Sequence, residues 1–124
     1  MSRSPHRDRQ RLDRAIDLYL RSCFRERTAA RVSAFAACIG LNRSYVSRWV
    51  SALTGVSLGD LLQRRQLARA EDWLRLTNLP IHEIALASAF GSRSTFHRVF
   101  LAAYGMTPET YREQVTERDT LPAS

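Results

Sequence analysis

Lysine is missing from this chain: all 19 basic residues among its 124 are arginine. The bias alone distinguishes nothing, because a compositional drift of the genome has the same outcome as selection for the planar, bidentate guanidinium that suits phosphates and guanine edges. Cysteine is scarce as well. Cys23 and Cys38 offer no zinc spacing and no disulfide framework. Each stands among apolar residues of a helical pattern, so both are expected as buried free thiols in a reducing compartment. Glycine (5) and proline (4) are few, and no stretch alternates polar and apolar long enough for a strand, which leaves an all-α chain. No N-terminal apolar core resembles a signal peptide, and no run approaches the ~18 apolar residues of a membrane span, so a cytoplasmic protein is expected. The acidic residues are scattered singly; no Ser/His/Asp set and no glycine-rich phosphate loop appears, so neither an enzyme nor a cofactor is expected. His97 has no partner at metal-ligand spacing in His82 or the cysteines.

What is present begins with charge. Twelve acidic residues against 19 basic ones leave a net charge of +7 and a pI near 10.6. That excess favours a polyanionic partner, nucleic acid or an anionic membrane surface. An apolar content of 44% is enough for a packed core, and the length fits one domain or two very small subdomains.

The apolar residues recur with helical spacing. Residues 1–8 are polar, carry Pro5, and are expected to form a flexible tail. From Arg9 to about Arg25, Leu12, Ala15, Ile16, Tyr19, Leu20 and Cys23 mark one face of a helix, with Arg11, Arg14, Arg21 and Arg25 outside. Val32 to Ile39 reads as a short helix, Gly40-Leu41 as a turn and Asn42 as an N-cap. The next helix, Arg43 to Thr54, buries Val46, Trp49, Val50 and Leu53 and presents Ser44, Ser47, Arg48 and Ser51; Gly55 ends it. Ser57 and Asp60 resemble a capping box opening a long helix to about Leu76, striped by Leu58, Leu61, Leu62, Leu67, Ala70 and Leu74. Residues 77–80 stop it, and Pro80 suits the first turn of a short helix ending near Ala89. After a turn at Phe90-Gly91, Ser92 caps a helix whose inner face is Phe96, Val99, Phe100 and Ala103. Its outer face carries Ser94, His97 and Arg98, with Arg93 at the exposed start. Thr107-Pro108 begins a last helix with Tyr111 and Val115 inward; beyond Thr116 the chain is polar and expected to fray.

A helix that is apolar behind and Arg/His/Ser in front, following a short helix and a turn, has the form of a helix-turn-helix reader of DNA. Alone it is equally an ordinary amphipathic helix with a solvated face. The repeat changes that balance. Asn42-Arg43-Ser44-Tyr45-Val46-Ser47-Arg48 lines up with Ser92-Arg93-Ser94-Thr95-Phe96-His97-Arg98, fifty positions later, and both helices run into a glycine, Gly55 and Gly105. Upstream, Ala36 pairs with Ala85, Gly40 with Ala89 and Leu41 with Phe90. Duplication of a structural unit accounts for the repeated apolar positions but not for the repeated outer arginines. The expected layout is a first helix-turn-helix subdomain over 9–55, a linker helix over 56–76, a second subdomain over 77–116, and tails over 1–8 and 117–124. About twenty residues of linker helix span roughly 30 Å, close to the ~34 Å between successive major-groove faces of B-DNA. One chain could therefore read an asymmetric site as a monomer.

These residues resemble the AraC/XylS-type transcription regulators over about Leu12 to Arg112. The most specific match is Ile81-x-Glu83-Ile84-Ala85, then Phe90, Ser94, Phe96, Arg98, Phe100, Gly105, Thr107-Pro108 and Tyr111-Arg112. Ala36, Gly40, Val46, Ser47-Arg48 and Gly55 match the first unit more loosely. The resemblance implies about seven helices with two helix-turn-helix units joined by a long helix. It also implies a bacterial regulator, activator rather than repressor, that binds double-stranded promoter DNA in adjacent major grooves and contacts RNA polymerase. Carried over, Arg43, Ser44, Ser47 and Arg48 would face DNA from the first unit, and Arg93, Ser94, His97 and Arg98 from the second. The length resembles the short members without an effector domain. Three departures stand out. Ala89 replaces a glycine and is expected to strain its turn. Val50 replaces an aromatic, with Trp49 beside it. Gln66 replaces an arginine on the linker helix, so a contact there is expected to be lost. Trp49 and Trp73 are expected to pack in the core rather than on bases. The rival reading from another class is a basic helical module that binds protein or RNA.

Overall fold

The structure, a computed structural model, describes residues 5–120. Seven helices follow in order: α1 (Pro5–Glu26), α2 (Val32–Cys38), α3 (Arg43–Thr54), α4 (Leu58–Leu76), α5 (Ile81–Ala87), α6 (Arg93–Tyr104) and α7 (Pro108–Thr120). No strand occurs among the described residues. Residues 5–8 and 117–120, expected within flexible tails, are helical. α1 begins at Pro5, where a proline suits a first turn and Asp8 faces the positive end of the helix dipole. α7 runs to Thr120. Residues 1–4 and 121–124 of those tails lie outside the described residues.

The repeated sequence becomes repeated geometry. α3 and α6 each have twelve residues. The Asn42 side chain accepts from the amides of Ser44 and Tyr45, at 2.8 and 3.3 Å, and Ser92 Oγ accepts from the Thr95 amide at 3.2 Å. Both helices close on a left-handed glycine, Gly55 (φ 75°) and Gly105 (φ 72°), where a side chain would be strained. Ser57 caps α4 by accepting from the Asp60 amide.

Two apolar cores hang on α4. Leu58 and Leu62 close a first core with Leu12, Ile16, Phe35, Val46 and Val50. Leu67, Ala70 and Leu74 close a second with Ile84, Phe90, Phe96 and Phe100. The second is aromatic at its centre, with Phe100 stacked edge-on against Phe96 and Tyr111 and 4.4 Å from the Tyr104 ring. Tyr104, rather than Ala103, completes the inner stripe of α6; Ala103 is exposed. Tyr104 and Tyr111 also donate to the two oxygens of Glu71. Burial first, then that carboxylate, pushes both phenols up to about 12. Trp49 and Trp73 are half-buried, one against each core. Cys23 is buried as expected, but Cys38, the last residue of α2, is exposed. The buried stripe of α2 is carried by Phe35 and Ala36, and Cys38 falls off it.

Two of the noted departures take definite form. Ala89 has φ +64°, where its partner in the repeat, Gly40, has +73°. A non-glycine residue there costs about 1–2 kcal/mol. Its methyl is buried in the first core and its carbonyl accepts from the Ala30 amide at 2.9 Å. Gln66 makes a contact rather than losing one. It is buried, and its Nε2 donates to the carbonyl of Ala89 at 2.8 Å and, more weakly, of Ser88 at 3.4 Å. An amide satisfies these neutral acceptors without the desolvation that a guanidinium would suffer.

Candidate nucleic-acid interface

The eight candidate residues lie on α3 and α6, all on faces turned away from the two cores. In the first unit, Arg43, Ser44, Ser47 and Arg48 line one shallow depression over the N-terminal half of α3. All are exposed except Ser47, which is half-buried. Neither guanidinium has a carboxylate partner among the described residues. The small serines leave room for a backbone to approach, and the start of the helix adds its own positive end.

The second unit is arranged differently. Arg93, Ser94 and Arg98 are exposed and His97 is half-buried. Arg98 has no carboxylate partner among the described residues and borders a shallow depression with Gln63 of α4, Val99, Ala102 and Ala103. Arg93 is engaged: its Nη2 lies 2.9 Å from Glu109 Oε1, at the first turn of α7. Burial raises the Glu109 carboxyl. The Arg93 hydrogen bond, a local backbone bond and the charges of Arg93 and His97 outweigh that and hold it below the ordinary range. The pair's contribution is therefore present above the ordinary carboxylate pKa and fades as the pH falls through the lowered one. Arg93 must exchange this partner for a phosphate before it can serve DNA. Glu109→Gln should thus tighten duplex binding about two- to tenfold at low salt, by freeing Arg93 and removing a like charge, read by fluorescence anisotropy. Unchanged affinity would place Arg93 outside the interface.

Sequence reasoning missed Glu109 as the partner of Arg93 and Gln63 as a neighbour of Arg98. An acidic residue after Thr107-Pro108 is a common helix start, and nothing in its spacing pointed to Arg93. Arg69 is a structural arginine. The Arg69 guanidinium lies over the Phe24 ring at 4.4 Å and over Trp73 at 5.4 Å, and its Nε donates to the Ala87 carbonyl. Arg112 is likewise structural, donating to the carbonyls of Leu74, Thr77 and Leu79 where α4 ends. No group of three or more His, Cys, Asp or Glu side chains that could hold a metal occurs among the described residues. No helix of the described residues is long and apolar enough to cross a membrane.

Known proteins share this fold. The model of a family described as a helix-turn-helix domain matches residues 35–114, from α2 into α7 and across both units. The regulatory protein SoxS of Escherichia coli (strain K12) is 36% identical over 76 residues, which are 61% of this chain and 71% of SoxS. The chain belongs to the AraC/XylS-type helix-turn-helix family. As an AraC/XylS-type protein it is a sequence-specific DNA-binding transcription regulator, and its relatives are regulators rather than enzymes. The right origin-binding protein of E. coli (strain K12) is also 36% identical, over 77 residues that make up 62% of this chain but 27% of that protein. Among solved structures, the DNA-binding domain of AdpA, a global transcriptional factor in complex with a target DNA, superposes with a TM-score of 0.76 at 21% identity. That likeness covers 90% of this chain and 97% of AdpA's. The C-terminal domain of the response regulator YesN from Fusobacterium nucleatum has a TM-score of 0.72 at 22% identity, over 82% of this chain and 98% of that one. Both likenesses concern the AraC/XylS-type fold.

Proposed function

We propose that this AraC/XylS-type protein activates transcription by binding promoter DNA as a monomer, with α3 and α6 set into adjacent major grooves of one face. The observation that carries this reading is the doubled unit: two twelve-residue helices, capped alike, each with an exposed arginine six residues after its cap and no acidic partner among the described residues. Arg48 and Arg98 read base edges, where a bidentate guanidinium selects guanine. Arg43, Ser44, Ser47, Ser94 and His97, with Arg93 once released by Glu109, hold phosphates and register. α4, at 19 residues, spans about 28 Å, a separation suited to one turn of duplex. RNA polymerase is the partner beside the bound site, and the cytoplasm and nucleoid are where the protein acts.

The test is competition between duplex DNA and RNA of equal length across salt. With six or more phosphates neutralised, duplex affinity should fall on the order of 10³-fold between 50 and 200 mM salt. A site selected from random duplexes should compete far better than RNA. Tight RNA binding without duplex preference would replace this reading with that of a basic RNA-binding module.

A further inference from the structure

We propose that the turn of the second unit, residues 87–91, is locked into the first half of the molecule, and that this lock, with Gln66 and Arg27 as positioning residues, sets which spacing between two half-sites the protein accepts. The inference rests on the two-groove reading above.

α4 alone leaves the two units a degree of freedom. Its contribution to the first core ends at Leu62 and its contribution to the second begins at Leu67. Between them α4 adds no residue to either core, Arg65 there pairs with Asp13 and Asp17 of α1, and long helices bend. Contacts from outside α4 gather at this joint. The Ala89 carbonyl accepts both the Ala30 amide and the Gln66 side chain. Arg69 bridges the joint, donating to the Ala87 carbonyl while its guanidinium covers Phe24 of α1. Arg27, just past α1, pairs with Glu83 of α5. Gly91 sits so close to the first half that an added Cβ would lie 2.9 Å from the Ala29 Cβ.

The first unit's turn makes no such use of its own position. A Cβ on Gly40 would meet nothing within 4 Å. The two turns are partners in the sequence repeat, yet among the described residues only the second is bonded to the other half of the molecule, and it keeps a strained left-handed alanine whose carbonyl is bonded twice. The grip therefore does not belong to helix-turn-helix folding as such. It fixes α6, which starts directly after the turn at Ser92, relative to α3. On duplex DNA each added base pair moves the second groove by about 3.4 Å and turns it by roughly 35°. A locked pair of helices cannot follow that movement; a hinged pair can.

The experiment uses the whole chain and a duplex selected by the parent protein, rebuilt with its half-sites moved apart or together by one or two base pairs. The parent should lose about 30-fold or more on a shift of one base pair, as for a seriously mismatched site. The double variant Gln66→Met, Arg27→Ala should bind the original spacing about three- to tenfold more weakly, with its penalty for a shifted spacing reduced below about threefold. A spacing profile as steep as the parent's, or an equal loss at every spacing, would overturn the proposal. A second readout needs no DNA: spin labels at Ser51→Cys and Ala102→Cys, both exposed positions, in a Cys38→Ser background. The α3–α6 distance distribution should be narrow in the parent and broad in the variant, and equal widths would overturn the lock. A parent that binds no duplex overturns the DNA reading instead, while the distance distributions still decide the lock.

Discussion

Replacing Arg48 and Arg98 together by alanine is expected to weaken binding to a specific site by roughly 2–6 kcal/mol, about 30-fold to more than ten-thousandfold. Each guanidinium stands on a different helix, without a carboxylate partner among the described residues. Neither loss should therefore be cushioned by a released internal ion pair. A base-reading arginine contributes about 1–3 kcal/mol, and contributions at separate positions add. Each single variant should also relax base choice at a different position of the site, one in each half. Arg75→Ala is the control. It removes the same formal charge, but Arg75 pairs with Asp72 near the end of α4 at 2.9 Å, and remote surface changes stay within about 0.5 kcal/mol. Binding to a selected duplex, measured across a panel of single-base changes, reads all four proteins. Equal losses from Arg48, Arg98 and Arg75 would mean a diffuse positive surface and no readers.

Phe100→Ala should destabilise the fold by about 3–5 kcal/mol, the range for removing a buried aromatic ring. Phe100 is fully buried in the core that Leu67, Ala70 and Leu74 of α4 close, and it touches Tyr111 of α7, so one truncation loosens α6 from both helices. A chain of this size has about 5–15 kcal/mol to lose, so the effect is a large share of the total. The second unit should open first, because the first core holds no atom of Phe100. Denaturant unfolding followed by ellipticity checks the size, and limited proteolysis checks the order. A loss under about 1 kcal/mol would mean that the aromatic cluster is not what holds α6.

What the sequence made legible was local. Caps such as Asn42 and Ser92, the closing glycines and the apolar stripes of α3, α4 and α6 act within a few residues of themselves, so pattern alone located those helices. The family resemblance made the strain at Ala89 legible, because it puts a glycine at that position, and Gly40 has the matching left-handed backbone. What stayed hidden was long-range. Gln66, Arg69 and Arg112 all point at backbone carbonyls 18 to 38 residues away, and no spacing rule predicts a carbonyl. Arg93 looked free because Glu109 lies 16 residues further on, across a glycine-closed turn. Ala103 was placed inside by periodicity, but the core ends at Phe100, and the wider Tyr104 ring reaches back to it. In the site, the arginine positions followed from the repeat, whereas the difference between an unpaired Arg98 and a paired Arg93 needed coordinates.

Methylation interference on a selected duplex tests the central claim most directly, since methylated guanine N7 blocks the major groove. The account predicts two clusters of interfering guanines about 10 base pairs apart on one face of the duplex, the first abolished with Arg48→Ala and the second with Arg98→Ala. A single cluster, or interference spread evenly along the site, would contradict it.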